Sequence, residues 1–238
     1  MKQLVASARK ALKTERPSAP GTSALTTHES VYRRLRDRIL CGGFQPGEAV
    51  TLRGIADELG VSPMPIREAV RRLIAERALE MRDNRRVLVP PMTHSKFTQI
   101  LFTRKALEPE LAARALPRLN ARIIARIEAL DDGLGEAVAA GDPEGYMRGN
   151  YLFHFTLYER AAADMLLGLI GSIWLQFGPF MRMAYGRVGT TDLEDFHEVA
   201  IAAMKSGDEA ALRQAIADDI EQGMGYIGEC VLSSRAPR

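Results

Sequence analysis

Residues 49–90 read AVTLRGIADELGVSPMPIREAVRRLIAERALEMRDNRRVLVP. The stretch divides into a short helix, a tight turn, a second helix and a two-stranded ribbon. That is the order of a winged helix-turn-helix, a shape that fits the major groove of DNA. Leu52, Ile55, Ala56 and Leu59 fall at helical spacing and give one apolar face. Gly60 ends that helix, because glycine accepts the left-handed backbone of a C-terminal cap. Val61 plugs the gap between the helices. Ser62 is placed to cap the next helix, with Pro63 at its first turn, where a missing N–H costs nothing. Ile66, Val70, Leu73 and Ile74 form the inner face of this second helix, while Arg67, Arg71 and Arg72 lie elsewhere on it. Leu79–Met81 and Val87–Val89 flank Arg82-Asp83-Asn84-Arg85-Arg86, a hairpin with a basic tip.

Working outward, Thr26-Thr27-His28-Glu29 is a capping box. It opens a helix with Val31, Leu35, Ile39 and Leu40 that stops at Gly42-Gly43, and Phe44-Gln45-Pro46-Gly47 is a turn. Residues 1–25 are rich in Ala, Ser, Thr, Lys and Pro and read as a disordered basic arm. Residues 26–91 form the winged domain, closed by Pro90-Pro91, which cannot continue strand pairing. Residues 92–232 are expected to be a helical domain, with 233–238 a tail. Predicted helices run over 95–116, 120–140, 143–163, 165–185, 191–206 and 208–231, punctuated at Pro117, Gly141-Asp142-Pro143, Asp164, Gly186–Thr190 and Gly207-Asp208. The fold class is therefore mainly α: an N-terminal winged helix-turn-helix with a small β-hairpin wing, then a C-terminal antiparallel α-helical bundle.

Charge is divided unevenly. Residues 1–90 hold 17 Lys+Arg against 10 Asp+Glu, a net of +7; the remainder hold 15 against 20, a net of −5. The basic half points to a polyanion partner. The longest apolar runs span four to six residues, so no membrane span is predicted. MKQLVASARKALKTERPSAP lacks an apolar run of signal-peptide type, and a cytoplasmic location is the default expectation. Cys41 and Cys230 lie far apart and read as buried reduced thiols.

The informative residues of the second half are polar groups on apolar stripes. Asn150, Phe153, His154 and Leu157 follow i, i+3, i+4, i+7, so Asn150 and His154 share a face one turn apart. His197, Ala200, Ile201 and Met204 repeat the spacing. Asp219 lies among Leu212, Ala215, Ile216, Ile220 and Gly223. An unpartnered charge facing a core is costly, and the nearest candidate partners are each other. Two readings stay open: a hydrogen-bonded polar cluster, or a site for a divalent ion held by two imidazoles, a carboxylate and an amide oxygen. Arg104 is either a surface arginine paired with Glu108 at i+4 or a bidentate grip for a carboxylate ligand. Trp174, Phe177, Phe180, Met181, Met183 and Tyr185 serve core or dimer packing, or line a ligand pocket.

Together these residues resemble the GntR family of bacterial transcription regulators, FadR subfamily, from the helix at 28 to near 231. The specific part is Pro46-Gly47, then Leu52, Ile55-Ala56, Leu59-Gly60-Val61-Ser62 and Pro65-Ile66-Arg67-Glu68-Ala69-Val70 with Leu73. The resemblance implies DNA contacts from Arg53 and Arg67; a third family arginine falls on Pro63 and is missing here. Ser62, Met64 and Arg71 complete the expected DNA-binding set, with Arg85 and Arg86 on the wing. It also implies an FCD-type effector domain whose ligands to Zn or Ni fall on Asn150, His154, His197 and Asp219, the last 22 residues after His197. Asn and Asp here replace the family's Asp and His, and both keep an oxygen donor. The family's effector arginine falls on Arg104, with Phe102 where an acidic neighbour is usual. The expectation is a homodimeric regulator, not an enzyme, on a near-palindromic double-stranded operator, controlled by a small carboxylate effector. Its rivals are a metalloenzyme with a two-His, one-carboxylate site, which lacks an acid/base couple, and a sequence-independent architectural DNA binder, which needs no buried polar groups.

Overall fold

A computed structural model describes residues 27–83, 86–185 and 195–232. The expected arm, the Thr26 cap, Asn84 and Arg85 at the wing tip, the Gly186–Thr190 break and the tail all lie outside the described residues.

The first helix, α1 (Thr27–Leu40), buries Val31, Leu35, Ile39 and Leu40, the stripe its spacing predicted. Strand β1 (Val50–Thr51) runs straight into α2 (Leu52–Leu59), and the Thr51 hydroxyl caps α2 by accepting from the Gly54 N–H at 3.0 Å. Ile55 and Ala56 are buried, and the helix ends at Gly60 with φ +65°. Helix α3 (Pro63–Ala75) buries Ile66, Ala69, Val70 and Leu73. Ser62 holds the cap position but makes no side-chain cap bond. A cap hydroxyl bonds the N–H of the second or third helical residue; Pro65 removes the third, and Ser62 makes no bond to the second, Met64. The Ser62 hydroxyl is thus left on the surface.

The wing has one strand more than the ribbon that was expected. β2 (Glu80–Arg82) and β3 (Arg86–Leu88) pair antiparallel, and β1 adds to the far side of β3, giving the order β1-β3-β2. Val50 and Met81 both face Val87 across the ladder. A two-residue strand is too short to show alternation, so its partner alone reveals it.

The rest is helical: α4 (His94–Ala115), α5 (Ala121–Ala140), α6 (Pro143–Tyr158), α7 (Asp164–Ala184), α8 (Phe196–Ser206) and α9 (Glu209–Leu232). Thr93, Asn120, Asp142 and Asp195 cap α4, α5, α6 and α8 with their side chains. α4 lies along α9, α5 along α6, and α9 along α8. Helix α6 ends at Tyr158, five residues before the expected limit of 163. The reversal there uses Ala162 at φ +50°, a left-handed residue that no glycine marks in the sequence. Cys41 is buried, but Cys230, near the end of α9, is half-buried; both are free thiols.

The apolar core is continuous across both halves, from Leu35 and Phe44 to Met224 and Ile227. Ser172 and Gln176 of α7 donate to the carbonyl of Glu76, at 3.0 and 3.3 Å. Arg36 of α1 donates to the Tyr151 hydroxyl at 3.0 Å. Among the described residues one segment, Asp164–Met183, is long and apolar enough to cross a membrane by length and composition. Its apolarity has a local explanation, since Trp174, Leu175, Phe177 and Phe180 are core.

Gly60 is the backbone hinge of the helix-turn-helix, and a Cβ there would meet nothing within 4 Å. Gly60→Ala should therefore cost only the left-handed backbone penalty, about 1 kcal/mol, read as a lower midpoint in urea unfolding.

Candidate functional site

Two sets of side chains stand out, one on the winged domain and one inside the bundle. On α3, Met64, Arg67 and Arg71 recur at spacings of three and four and are exposed together; Met64 is 70% exposed. Arg53 at the start of α2 is 89% exposed, with Asp57 no closer than 4.0 Å. Arg71 touches Glu68 at 3.3 Å on the surface, an interaction of little strength in water. Arg67 and Arg86 are exposed and have no ion-pair partner among the described residues. Arg72 is different. It donates to Glu29 at 2.8 Å and lies over the Tyr32 ring at 3.6 Å, so it fastens α3 to α1. The exposed face offers cations to a polyanion, while Arg72 is taken up by packing between helices. Arg85 lies outside the described residues.

Inside the bundle, His154 on α6, His197 on α8 and Asp219 on α9 come together, with one ligand atom of each within 4.8 Å of the others. His154 Nε2 lies 3.3 Å from Asp219 Oδ2, and His197 Nε2 lies 3.6 Å from Asp219 Oδ1. Neither Nε2 has a hydrogen-bond partner, and both are buried. Asn150 is buried one turn before His154 on the same face of α6. The helices converge as their stripes require.

Hydrogen-bond bookkeeping assigns the tautomers. Tyr158 has one hydroxyl hydrogen, and it goes to Glu108 Oε2 at 2.8 Å. Its oxygen therefore accepts from His154 Nδ1 at 3.1 Å, and Nδ1 carries the proton. Likewise the Asp131 carboxylate, at 2.8 Å, requires a proton on His197 Nδ1. In both neutral rings Nε2 then presents a lone pair, and both lone pairs face one carboxylate. Such an arrangement is repulsive unless a proton or a metal cation lies between. Burial pushes the His154 pKa down despite the pull of Asp219, so its ring disfavours the second proton. Burial also opposes charge on His197, but Asp131 and Asp219 outweigh it and its pKa is raised. Asp219 resists protonation: burial works the other way, and the two imidazoles and Arg104 overcome it. The Tyr146 hydroxyl, two turns before His154, is held protonated by burial and by Asp219, Asp195 and Asp131. The site is thus rich in carboxylates, with two imidazole lone pairs turned inward, which suits a divalent cation. Metal-binding histidines are commonly held in place by such a hydrogen bond from the other ring nitrogen.

Asp131 escaped the sequence reading. The signal was available, since Asp131 shares a face with Ile127 and Leu134, both buried. It is the same misplaced polar group that singled out His154.

Arg104 is not on the surface. It is 4% exposed and donates to Glu108 at 2.6 Å, with its guanidinium carbon 4.1 Å from the Phe177 ring centre and 4.9 Å from that of Trp174. Glu108, fully buried, also accepts from Trp174 Nε1 at 3.1 Å. Trp174, Phe177 and Phe180 are core residues, while Met183 is 47% exposed.

The sequence pattern of bacterial regulatory proteins of the gntR family matches residues 27–89, and that of the FCD domain matches residues 99–222. The HTH-type transcriptional regulator McbR of Escherichia coli is 27% identical over 216 residues, covering 87% of this chain and 97% of that protein. The gluconate operon transcriptional repressor of Bacillus subtilis is 24% identical over 223 residues, 90% of each chain. The solved structure of E. coli McbR/YncC superposes with a TM-score of 0.80 at 25% identity, over 87% of this chain and 99% of the other. A putative GntR regulator from Rhodococcus sp. RHA1 shares the fold, with a TM-score of 0.68 at 23% identity over 85% of this chain and 98% of its own.

The buried pair generates a stability test. Glu108→Ala strands the Arg104 charge and should destabilise the protein by about 3–5 kcal/mol in chemical denaturation. Arg104→Met with Glu108→Leu should recover most of that loss.

Proposed function

Because the chain belongs to the GntR family of bacterial regulatory proteins and carries an FCD domain, we propose that it is a FadR-subfamily regulator acting as a homodimer on a near-palindromic operator. Its relatives are transcription regulators, not enzymes, and the chain itself is a DNA-binding transcription regulator with an FCD effector-binding domain. Two-fold symmetry in the protein calls for two-fold symmetry in the DNA. Arg53, Ser62, Met64, Arg67 and Arg71, with Arg85 and Arg86 of the wing, are the proposed DNA-contacting residues. The exposure of the described members supports this, as does the Ser62 hydroxyl left unused by its own helix. The protein is proposed to work in the cytoplasm.

The observation that carries the effector reading is the pair of buried, unpartnered Nε2 atoms facing Asp219. His154, His197 and Asp219, with the amide oxygen of Asn150, would hold a divalent ion such as Zn²⁺ or Ni²⁺, both of which suit imidazole. When bound, the ion supplies positive charge and open positions for the carboxylate of a small organic acid. Asp131 and Tyr158 keep the two imidazoles in the ligating tautomer. Arg104 contributes through its field on Asp219, because its own hydrogen bonds go to Glu108. Effector binding shifts the balance between two placements of the winged domains, by differential affinity for the two states. Arg36–Tyr151 and the Glu76 carbonyl contacts join the bundle to the winged domain and lie within reach of that change.

The operator is the first test. Duplexes selected from a random pool should bind the purified protein, and Arg67→Ala should weaken that binding by at least about 1 kcal/mol at fixed salt. Equal binding of selected and random duplexes would refute the regulatory reading. For the ion, His154→Ala with His197→Ala should abolish copurifying metal measured by plasma mass spectrometry. Asp131→Asn, a positioning change, should weaken metal affinity about 10–100-fold. Stoichiometric metal in the double variant would place the site elsewhere.

A further inference from the structure

A cleft of about 590 Å³ lies at the junction of the winged and helical domains and shares no lining residue with the His–Asp cluster. One wall is the end of α3 and strand β2; the other is the first turns of α4 and the side of α7. Leu79, Ile100 and Ile173 give it an apolar floor. Arg77 and Lys96 bring two positive charges to it, and neither has an ion-pair partner among the described residues. The acidic neighbour, Glu80, has Oε1 2.8 Å from Arg82 but without hydrogen-bond geometry, so its charge also acts on Lys96 across the cleft. Lys96 is half-buried; burial and the like charge of Arg77 make its ammonium harder to keep, and Glu80 only partly offsets them. The cleft also lies at the N-terminal end of the 22-residue helix α4, where backbone N–H groups favour an anion.

Arg77 itself is the telling residue. Ala78 N–H bonds the Leu73 carbonyl and Arg77 N–H bonds the Ile74 carbonyl, both at 2.9 Å. These are the two bonds of a Schellman cap, and its left-handed position normally belongs to glycine. Here an arginine occupies it at φ +59°. Ala162 takes the same backbone at a plain reversal, so what matters at Arg77 is where its side chain stands, on the wall of the cleft. The cap sets Arg77, an exposed residue, on the wall of a cleft that also contains Lys96.

We propose that this junctional cleft is a second small-molecule site, for an amphipathic anion whose carboxylate or phosphate head is held by Arg77 and Lys96 and whose short apolar body lies over Leu79, Ile100 and Ile173. An occupant touches the end of α3, the wing and the bundle at once, so it fixes their relative placement and changes operator affinity.

Isothermal titration of the full-length protein with octanoate and with octyl phosphate tests this, and the two probes separate the head groups. The expected result is one site per protomer for at least one of them. Lys96→Met, which keeps the stem, and Arg77→Gly, which suits the left-handed backbone, should each weaken binding about tenfold or more. His154→Ala with His197→Ala should leave it unchanged, which separates this site from the metal reading. No heat from either probe up to about 10 mM, a concentration that reaches even weak millimolar sites, would overturn the proposal. So would binding indifferent to both cation variants, or binding lost with the histidines. If instead both variants bind the probes as wild type does but lower operator affinity and flatten its salt dependence, the cations contact DNA phosphates and the proposal fails.

Discussion

The carboxylate of Glu108 organises the helical domain. It is fully buried and accepts from Arg104, Trp174 and Tyr158. A buried ion pair of this kind contributes little net stability, because desolvation consumes the attraction. What it contributes is direction. By taking the Tyr158 proton it obliges that oxygen to accept from His154, which fixes the imidazole tautomer and turns Nε2 inward. By holding the Trp174 indole it places that ring 5.2 Å from His154 and 5.6 Å from Tyr151. Tyr151 in turn takes the Arg36 hydrogen bond from α1. One carboxylate therefore stands behind the cluster and behind one of the contacts that join the cluster's helices to the winged domain.

The winged domain sorts its arginines by what packs against them. Arg72 is consumed by Glu29 and Tyr32 and holds α3 on α1. Arg53, Arg67 and Arg86 are left in water, where a cation is inexpensive and available to phosphate. Ser62 likewise makes no cap bond: Pro65 removes one of the two N–H groups its hydroxyl could take, and the hydroxyl stays on the surface. The face proposed to meet DNA is set apart by the absence of internal claims on its polar groups as much as by charge.

Much of this was legible before any coordinates. The stripe Leu52, Ile55, Ala56, Leu59, the Gly60 turn and most helix limits after 93 follow from local periodicity and punctuation, and the helices continue through Pro109 and Pro179 as expected; the helix expected from 191 starts only at Phe196, capped by Asp195. His154, His197 and Asp219 were visible as polar groups on apolar stripes. Strand β1 was not, because two residues have no period. The end of α6 was not, because Ala162 takes a left-handed turn without glycine. Cys230 was expected in the core and is half-buried, since the last turns of α9 are only partly covered.

By itself the sequence determined the helices, the helix-turn-helix and the residues whose burial demands a partner, because these depend on spacing along one chain. Only the tertiary structure decided who the partners are. Asp131 on one helix, Glu108 on another and Tyr158 on a third settle which nitrogen of each histidine carries a proton. Arg104 ends inside, against Trp174 and Phe177, where spacing allowed a surface position equally well. Spacing specifies the face on which a side chain lies; what it meets there depends on elements tens of residues away and on how their apolar stripes pack.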